Sequence, residues 1–228
     1  MEVSFVEQYV GEPVKDPFGR VVGTLVSVYS NVDGEVEAVE IALGGNRFQK
    51  IGAERLGKKG EELVILPEWM AEAKSIYKKM DTALRRIKAL ETMMSTGDFN
   101  KEIVNEMKKK MEQQANKLRG KLGEVKRLLK DRVAELEDQI LEMDRALINL
   151  QMSYMAGEIS DRRYQQAASA IRHQKEIAYE EKKAVKEWIE KLERLEKPVE
   201  EQESATPAQS SASTPQQTHV PLMLELSD

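Results

Sequence analysis

The chain of 228 residues contains no cysteine, which excludes disulfide frameworks, thiolate metal sites and cysteine nucleophiles together. Histidine is scarce too. The only two, His173 and His219, lie 46 positions apart, and neither has a partner at metal-ligand or triad spacing. Aromatic residues make up 5%: six Tyr, four Phe and two Trp, less ring mass than an enzyme of this length usually places in core and pocket. An excess of one charge is also missing, since 35 Lys and Arg face 40 Asp and Glu for a net −5, so no chain-wide basic surface exists. No apolar run approaches the roughly 20 residues of a membrane span, and the first ten residues lack the basic and apolar regions of a signal peptide. Gly44-Gly45 is followed by neither a helix start nor Lys-Ser/Thr, so no phosphate loop is present. These absences leave an enzyme nothing to work with. No catalytic residue, metal or cofactor is expected, and the chain reads as a cytoplasmic assembly or binding protein.

The residues that are present fall into three zones, 1–66, 67–196 and 197–228, with net charges of −4, +3 and −4. The first zone holds nine of the 13 glycines, and short β-branched runs lie between them: Val21-Val22, Leu25 to Tyr29, Val36 to Leu43, and Leu63 to Leu66. Asp33-Gly34 between apolar runs predicts a hairpin with a type I′ turn, which needs positive φ at both central residues. Pro17-Phe18-Gly19-Arg20 and Gly44-Gly45-Asn46 read as further turns. Five or six short strands in this length predict a small antiparallel barrel that gains from outside support.

The second zone opens at Pro67-Glu68-Trp69, with proline at the cap or first turn of a helix and Glu68 complementing its dipole. Ile76, Met80, Ala83, Ile87, Leu90 and Met94 are spaced 4, 3, 4, 3, 4, the heptad seam of a coiled coil. Ser95-Thr96-Gly97-Asp98 interrupts it, and Asp98 or Asn100 caps the next helix. A second seam runs from Leu118 through Leu122, Val125, Leu129, Val133, Leu136, Ile140, Met143, Leu147 and Leu150 to Tyr154, with one stutter at 129–133. A helix over 100–155 would be on the order of 80 Å long. Gly157 breaks it, Ser160 or Asp161 caps another, and the third seam carries Lys175 and Lys182 among its apolar positions. Two periodic helices joined by a short turn predict an antiparallel hairpin, the seam lysines burying only their stems.

One electrostatic feature stands out. Between 108 and 132, Lys108, Lys109, Lys110, Lys117, Arg119, Lys121, Lys126, Arg127, Lys130 and Arg132 face only Glu112, Glu124 and Asp131, an excess of +7. Such a stripe fits a phosphate backbone or an anionic leaflet, and it equally fits a solvated face paired with a neighbouring helix. No aromatics interleave it, so base stacking is not indicated.

From Pro198 to His219 the chain is Ser-, Gln-, Glu- and Pro-rich, which predicts a flexible linker spanning about 25 Å on average. The composition then turns over. Val220, Leu222, Leu224 and Leu226 alternate with Pro221, Met223 and Glu225, so an extended strand would put four aliphatics on one side. A peptide adds itself to a partner's exposed sheet edge in this way, and folding back onto the chain's own barrel or helices is the plainer alternative.

The order of parts resembles the CdvA family of archaeal cell-division proteins. In the first zone, Tyr9-Val10-Gly11-x-Pro13-Val14-Lys15-Asp16, Phe18-Gly19-Arg20-x-x-Gly23 and Val26 to Ser30 with Val32-Asp33-Gly34 resemble a PRC-barrel domain. The fold class expected is therefore α+β: a PRC-like barrel at 1–66, a coiled-coil hairpin at 67–197, a disordered linker at 198–219 and a partner-binding peptide at 220–228. The resemblance implies a scaffold that forms filaments at mid-cell, contacts membrane and also DNA, and recruits an ESCRT-III-like protein. That partner is CdvB, and the tail, through Val220, Pro221, Leu222, Met223, Leu224 and Leu226, would dock on its winged-helix domain. The alternative expectation is a coiled-coil protein of the nucleoid acting through the basic helix 108–132.

Overall fold

The computed structural model describes residues 1–97 and 99–196. Its first element is a five-residue helix that the sequence did not signal, α1 (Val3–Glu7), which buries Val6. Six strands come after it: β1 (Pro13–Lys15), β2 (Val21–Ser30), β3 (Val36–Gly44), β4 (Arg47–Gly52), β5 (Leu56–Lys59) and β6 (Glu62–Ile65). They form one curled sheet, a half-barrel, in the order β4-β3-β2-β1-β6-β5. All neighbours are antiparallel except β1 and β6, which run parallel with Lys15 opposite Val64. The all-antiparallel expectation is corrected here: β6 reaches β1 only after intervening strands, so its direction is set by the return path, which turn signals do not encode.

The hairpin predicted at Asp33-Gly34 forms without its type I′ turn, and the turn predicted at Gly44-Gly45-Asn46 joins a second hairpin. At Asn31–Glu35, Gly34 alone has positive φ (+77°) and the Asn31 carboxamide oxygen accepts from the Asp33 and Glu35 amides, so the loop is an Asx-type turn. Gly45 (φ +58°) and Asn46 (φ +59°) lie between the paired residues Gly44 and Arg47, and they meet the type I′ requirement instead. The Pro17–Arg20 turn is organised by buried Asp16, whose carboxylate accepts from the Phe18 and Arg20 amides, both at 2.9 Å.

Three long helices complete the described chain: α2 (Glu68–Thr96), α3 (Lys101–Met155) and α4 (Asp161–Glu196). Gly97 ends α2 in the left-handed region at φ +78°. Asn100 caps α3 by accepting from the Glu102 and Ile103 amides; Asp98, the other cap candidate, lies outside the described residues. Gly157 (φ +75°) turns the chain into α4. At 55 residues and 1.5 Å each, α3 is about 80 Å long. It is shared between two partners, pairing with α2 along its first half and with α4 along its second. The ion pairs Lys126–Glu196, Glu137–Lys182 and Asp144–Lys175 show α3 and α4 to be antiparallel, since partner numbers fall as those of α3 rise, and α2 meets the start of α3 just past the turn that joins them, with Lys108 on Glu91.

Two cores result, and β6 serves both. By the two-residue period of a strand, Leu63 and Ile65 enter the half-barrel core with Val14, Leu25, Val39 and Ile41. Val64, with Leu66 just beyond the strand, enters the helical core with Trp69, Met80, Leu122, Leu129, Leu136, Val185 and Leu192. Phe18 of the half-barrel stacks on Trp69 with ring centroids 6.4 Å apart. Residues 1–196 thus make one compact unit.

Candidate interaction surfaces

Four elements converge on one carboxylate. Glu181 of α4 is only 1% exposed. It accepts from the Trp69 indole at 3.0 Å and from Arg132 Nε and Nη2 at 3.0 Å each, and it pairs with Arg20 Nη1 at 2.7 Å. Arg20 is held in turn by Asp16, Nε to Oδ2 at 2.6 Å. Burial disfavours the Arg20 charge, but the hydrogen bonds to Asp16 and Glu181 outweigh it and hold the group above its ordinary pKa. The node fixes the β1–β2 turn, α2, α3 and α4 to one another. The sequence carried no distinct signal for it: Glu181 lies beside the seam position that Lys182 occupies, among the charged residues Glu180, Lys182 and Lys183, which read as a solvated face.

The seam lysines behave as their sequence positions suggest. Lys175 and Lys182 are mostly buried along their stems, with their ammonium groups on Asp144 and Glu137 of α3. The hydrogen bond from Lys182 holds the Glu137 carboxyl below the usual carboxylate range, and the one to Asp144 raises Lys175.

The ten-residue basic stripe does not form one face. Lys108 binds Glu91, Lys110 binds Glu106, Lys126 binds Glu193 and Glu196, and Arg132 belongs to the Glu181 node. Arg119 donates to Asn116. Lys109, Lys117, Lys121, Arg127 and Lys130 are exposed and make no ion pair among the described residues. Lys121 and Arg127 line an open cleft of about 1180 Å³ between β4, α2 and α3. There Lys50, Arg55, Lys79 and Arg132 join them, but six carboxylates line the same cleft, so it offers an anion no net attraction.

The half-barrel leaves two strands without a second neighbour, β4 and β5. Edge β4 carries exposed Arg47, Gln49 and Lys50 around Phe48, which is 62% exposed, and charged edge residues of this kind discourage indiscriminate pairing. Val220, Pro221, Leu222, Met223, Leu224 and Leu226 lie outside the described residues. Among the described residues, no helix is long and apolar enough to cross a membrane, and no cluster of three or more His, Asp or Glu is placed to hold a metal.

The comparisons with known proteins point in one direction. Residues 68–214 match the model of the CdvA-like coiled-coil domain. The chain is also similar to "Cell division protein A" of Sulfolobus acidocaldarius, 30% identical over 197 residues, which cover 86% of this chain and 82% of that protein. No solved structure matches.

Proposed function

Because the chain belongs to the CdvA-like coiled-coil family, we propose that it is a cell-division scaffold that forms filaments, associates with the membrane at mid-cell and recruits the ESCRT-III-like protein CdvB through its C-terminal peptide. The observation that carries the division role is the extent of the likeness, which runs through the helical arm and covers most of a relative named for cell division. Three features support the finer reading. An 80 Å helical arm suits a structural element better than a pocket-bearing one. The alternation of Val220, Leu222, Leu224 and Leu226 suits strand addition, in which backbone hydrogen bonds supply affinity and alternate side chains supply specificity. The unpaired cations Lys109, Lys117, Lys121, Arg127 and Lys130 suit an anionic leaflet, at about 1 kcal/mol for each one near the surface.

The recruiting step is tested by titrating a labelled peptide of residues 210–228 against the CdvB winged-helix domain, read by fluorescence anisotropy. Saturable binding that Leu222→Asp abolishes is the expected result. An isotherm that stays flat into the high micromolar range would remove recruitment from the reading and leave the division scaffold.

A further inference from the structure

On one side, the α2–α3 pair carries no carboxylate along two lines of residues. On α2 the line is 79, 82, 86, 89, 93, spaced 3, 4, 3, 4. On α3 it is 103, 107, 110, 114, 117, 121, spaced 4, 3, 4, 3, 4, with Phe99 just before the Asn100 cap. Lys79 and Lys121 line the same cleft, which fixes the two lines to one side of the pair. Glu91 and Lys108 meet on the other side. Near the turn the face is apolar: Phe99, Ile103 and Met107 are 49%, 57% and 52% exposed, and half-buried Met93 ends the α2 line. Further along it is basic, with Lys79, Arg86, Lys110, Lys117 and Lys121 all exposed. Among the described residues only Lys110 of these five makes an ion pair, with Glu106 at the rim. Glu102 lies about 100° around the helix from Ile103, and the carboxylates of the cleft begin beyond the basic stretch, at Glu72 and Glu124.

We propose that this face is the chain's contact with an anionic lipid surface, the turn end entering the interface and the basic stretch lying over the headgroups. An apolar patch alone names no occupant, and here the cations beside it do. A leaflet presents one sign of charge, so it selects a face cleared of carboxylates, here over about 27 Å of α3. Helices that lie on membranes join Lys and Arg to apolar side chains, which enter the boundary by about 5–10 Å. Phe99, Ile103 and Met107 supply such side chains at the end of the α2–α3 hairpin. The long stems of Lys110, Lys117 and Lys121 let their ammonium groups meet headgroups while the helix stays at the surface. A phosphate backbone would match the cations yet leave the apolar end in water. The face also divides the unpaired cations of α3. Lys117 and Lys121 belong to it, whereas Lys109 and Lys130 lie on other sides of the helix. This placement deepens the proposed membrane contact and rests on it.

The test measures sedimentation of the full chain with vesicles of phosphatidylcholine and phosphatidylglycerol in equal parts. Phe99→Ser with Ile103→Ser should lower the partition coefficient at least about tenfold, with the helical circular dichroism unchanged because both side chains are exposed. Lys117→Gln with Lys121→Gln should also lower it, by about fivefold for each cation, and added salt should shrink that difference. Lys109→Gln with Lys130→Gln removes the same charge from other sides of α3 and should leave binding unchanged. Equal losses from the two lysine pairs would mean that net charge alone binds the membrane, which overturns the face while membrane association stands. A Phe99 and Ile103 variant that binds as wild type does would have the same meaning. A wild type that stays in the supernatant would overturn the face and the membrane contact together. Duplex DNA is the competing occupant. Binding to DNA that needs Lys117 and Lys121, without binding to vesicles, would replace the leaflet by a phosphate backbone and overturn the proposal.

Discussion

Glu181 shows how one side chain holds a multi-element joint. A carboxylate with 1% exposure is tolerable only because Arg20, Arg132 and the Trp69 indole all donate to it. Glu181→Ala leaves two guanidinium groups facing an apolar gap. It should cost about 3 kcal/mol of stability in urea unfolding, more than Glu181→Gln, which keeps acceptor capacity toward the indole. Equal, sub-kilocalorie losses for the two would mean that the node is solvated and holds nothing. Glu137 is the exposed counterpart. Its carboxyl is held below the ordinary range by Lys182, so the pair's contribution is present above the unfolded-state value and fades as pH falls through the folded one. An exposed pair of this kind adjusts stability, whereas the buried node decides the arrangement.

At the scale of elements, close approach matters most in the half-barrel. Gly23 of β2 lies over β3, and a Cβ built there would meet Ile41 Cγ2 at 2.6 Å and collide with the Ala42 carbonyl oxygen. Backbone cannot give way as a flexible side chain can. Gly23→Ala should therefore force β2 and β3 apart and lower the melting temperature by several degrees, about 2–4 °C per kcal/mol in a cooperative unit of this size. The Gly11 position, where an added Cβ meets nothing but φ is +89°, should suffer from backbone strain alone. An unchanged melting temperature for Gly23→Ala would show that the strands are not this close in solution. In the helical arm the same scale explains why α3 outruns any single partner. Its seam toward α2 hands over to its seam toward α4 around Leu122 to Leu136, where all three helices share one core.

Across the whole molecule, β6 and the Glu181 node bind sheet and helices into one unit, so unfolding should be cooperative. Trp69 reports from the joint and far-ultraviolet dichroism from the arm, and the two urea transitions should superimpose. Separated midpoints would mean that the half-barrel and the arm are independent domains. Much of this organisation is legible in the sequence because its signals are local. Glycine-containing turns mark the strands, 4-3 spacing marks the helices, and Pro67, Gly97, Asn100 and Gly157 mark their ends, since each depends only on a residue's own backbone preferences and near neighbours. The tail's alternation and the basic excess at 108–132 are likewise sequence properties. The tertiary structure decided the features that depend on residues distant in the chain. The return of β6 parallel to β1, the division of α3 between two partners, the pairing of half the basic stripe, the burial of Glu181 and the exposure of Ile103 all come from which surfaces meet. A heptad pattern states that a face is apolar, and only the packing of the other helices decides whether that face is covered.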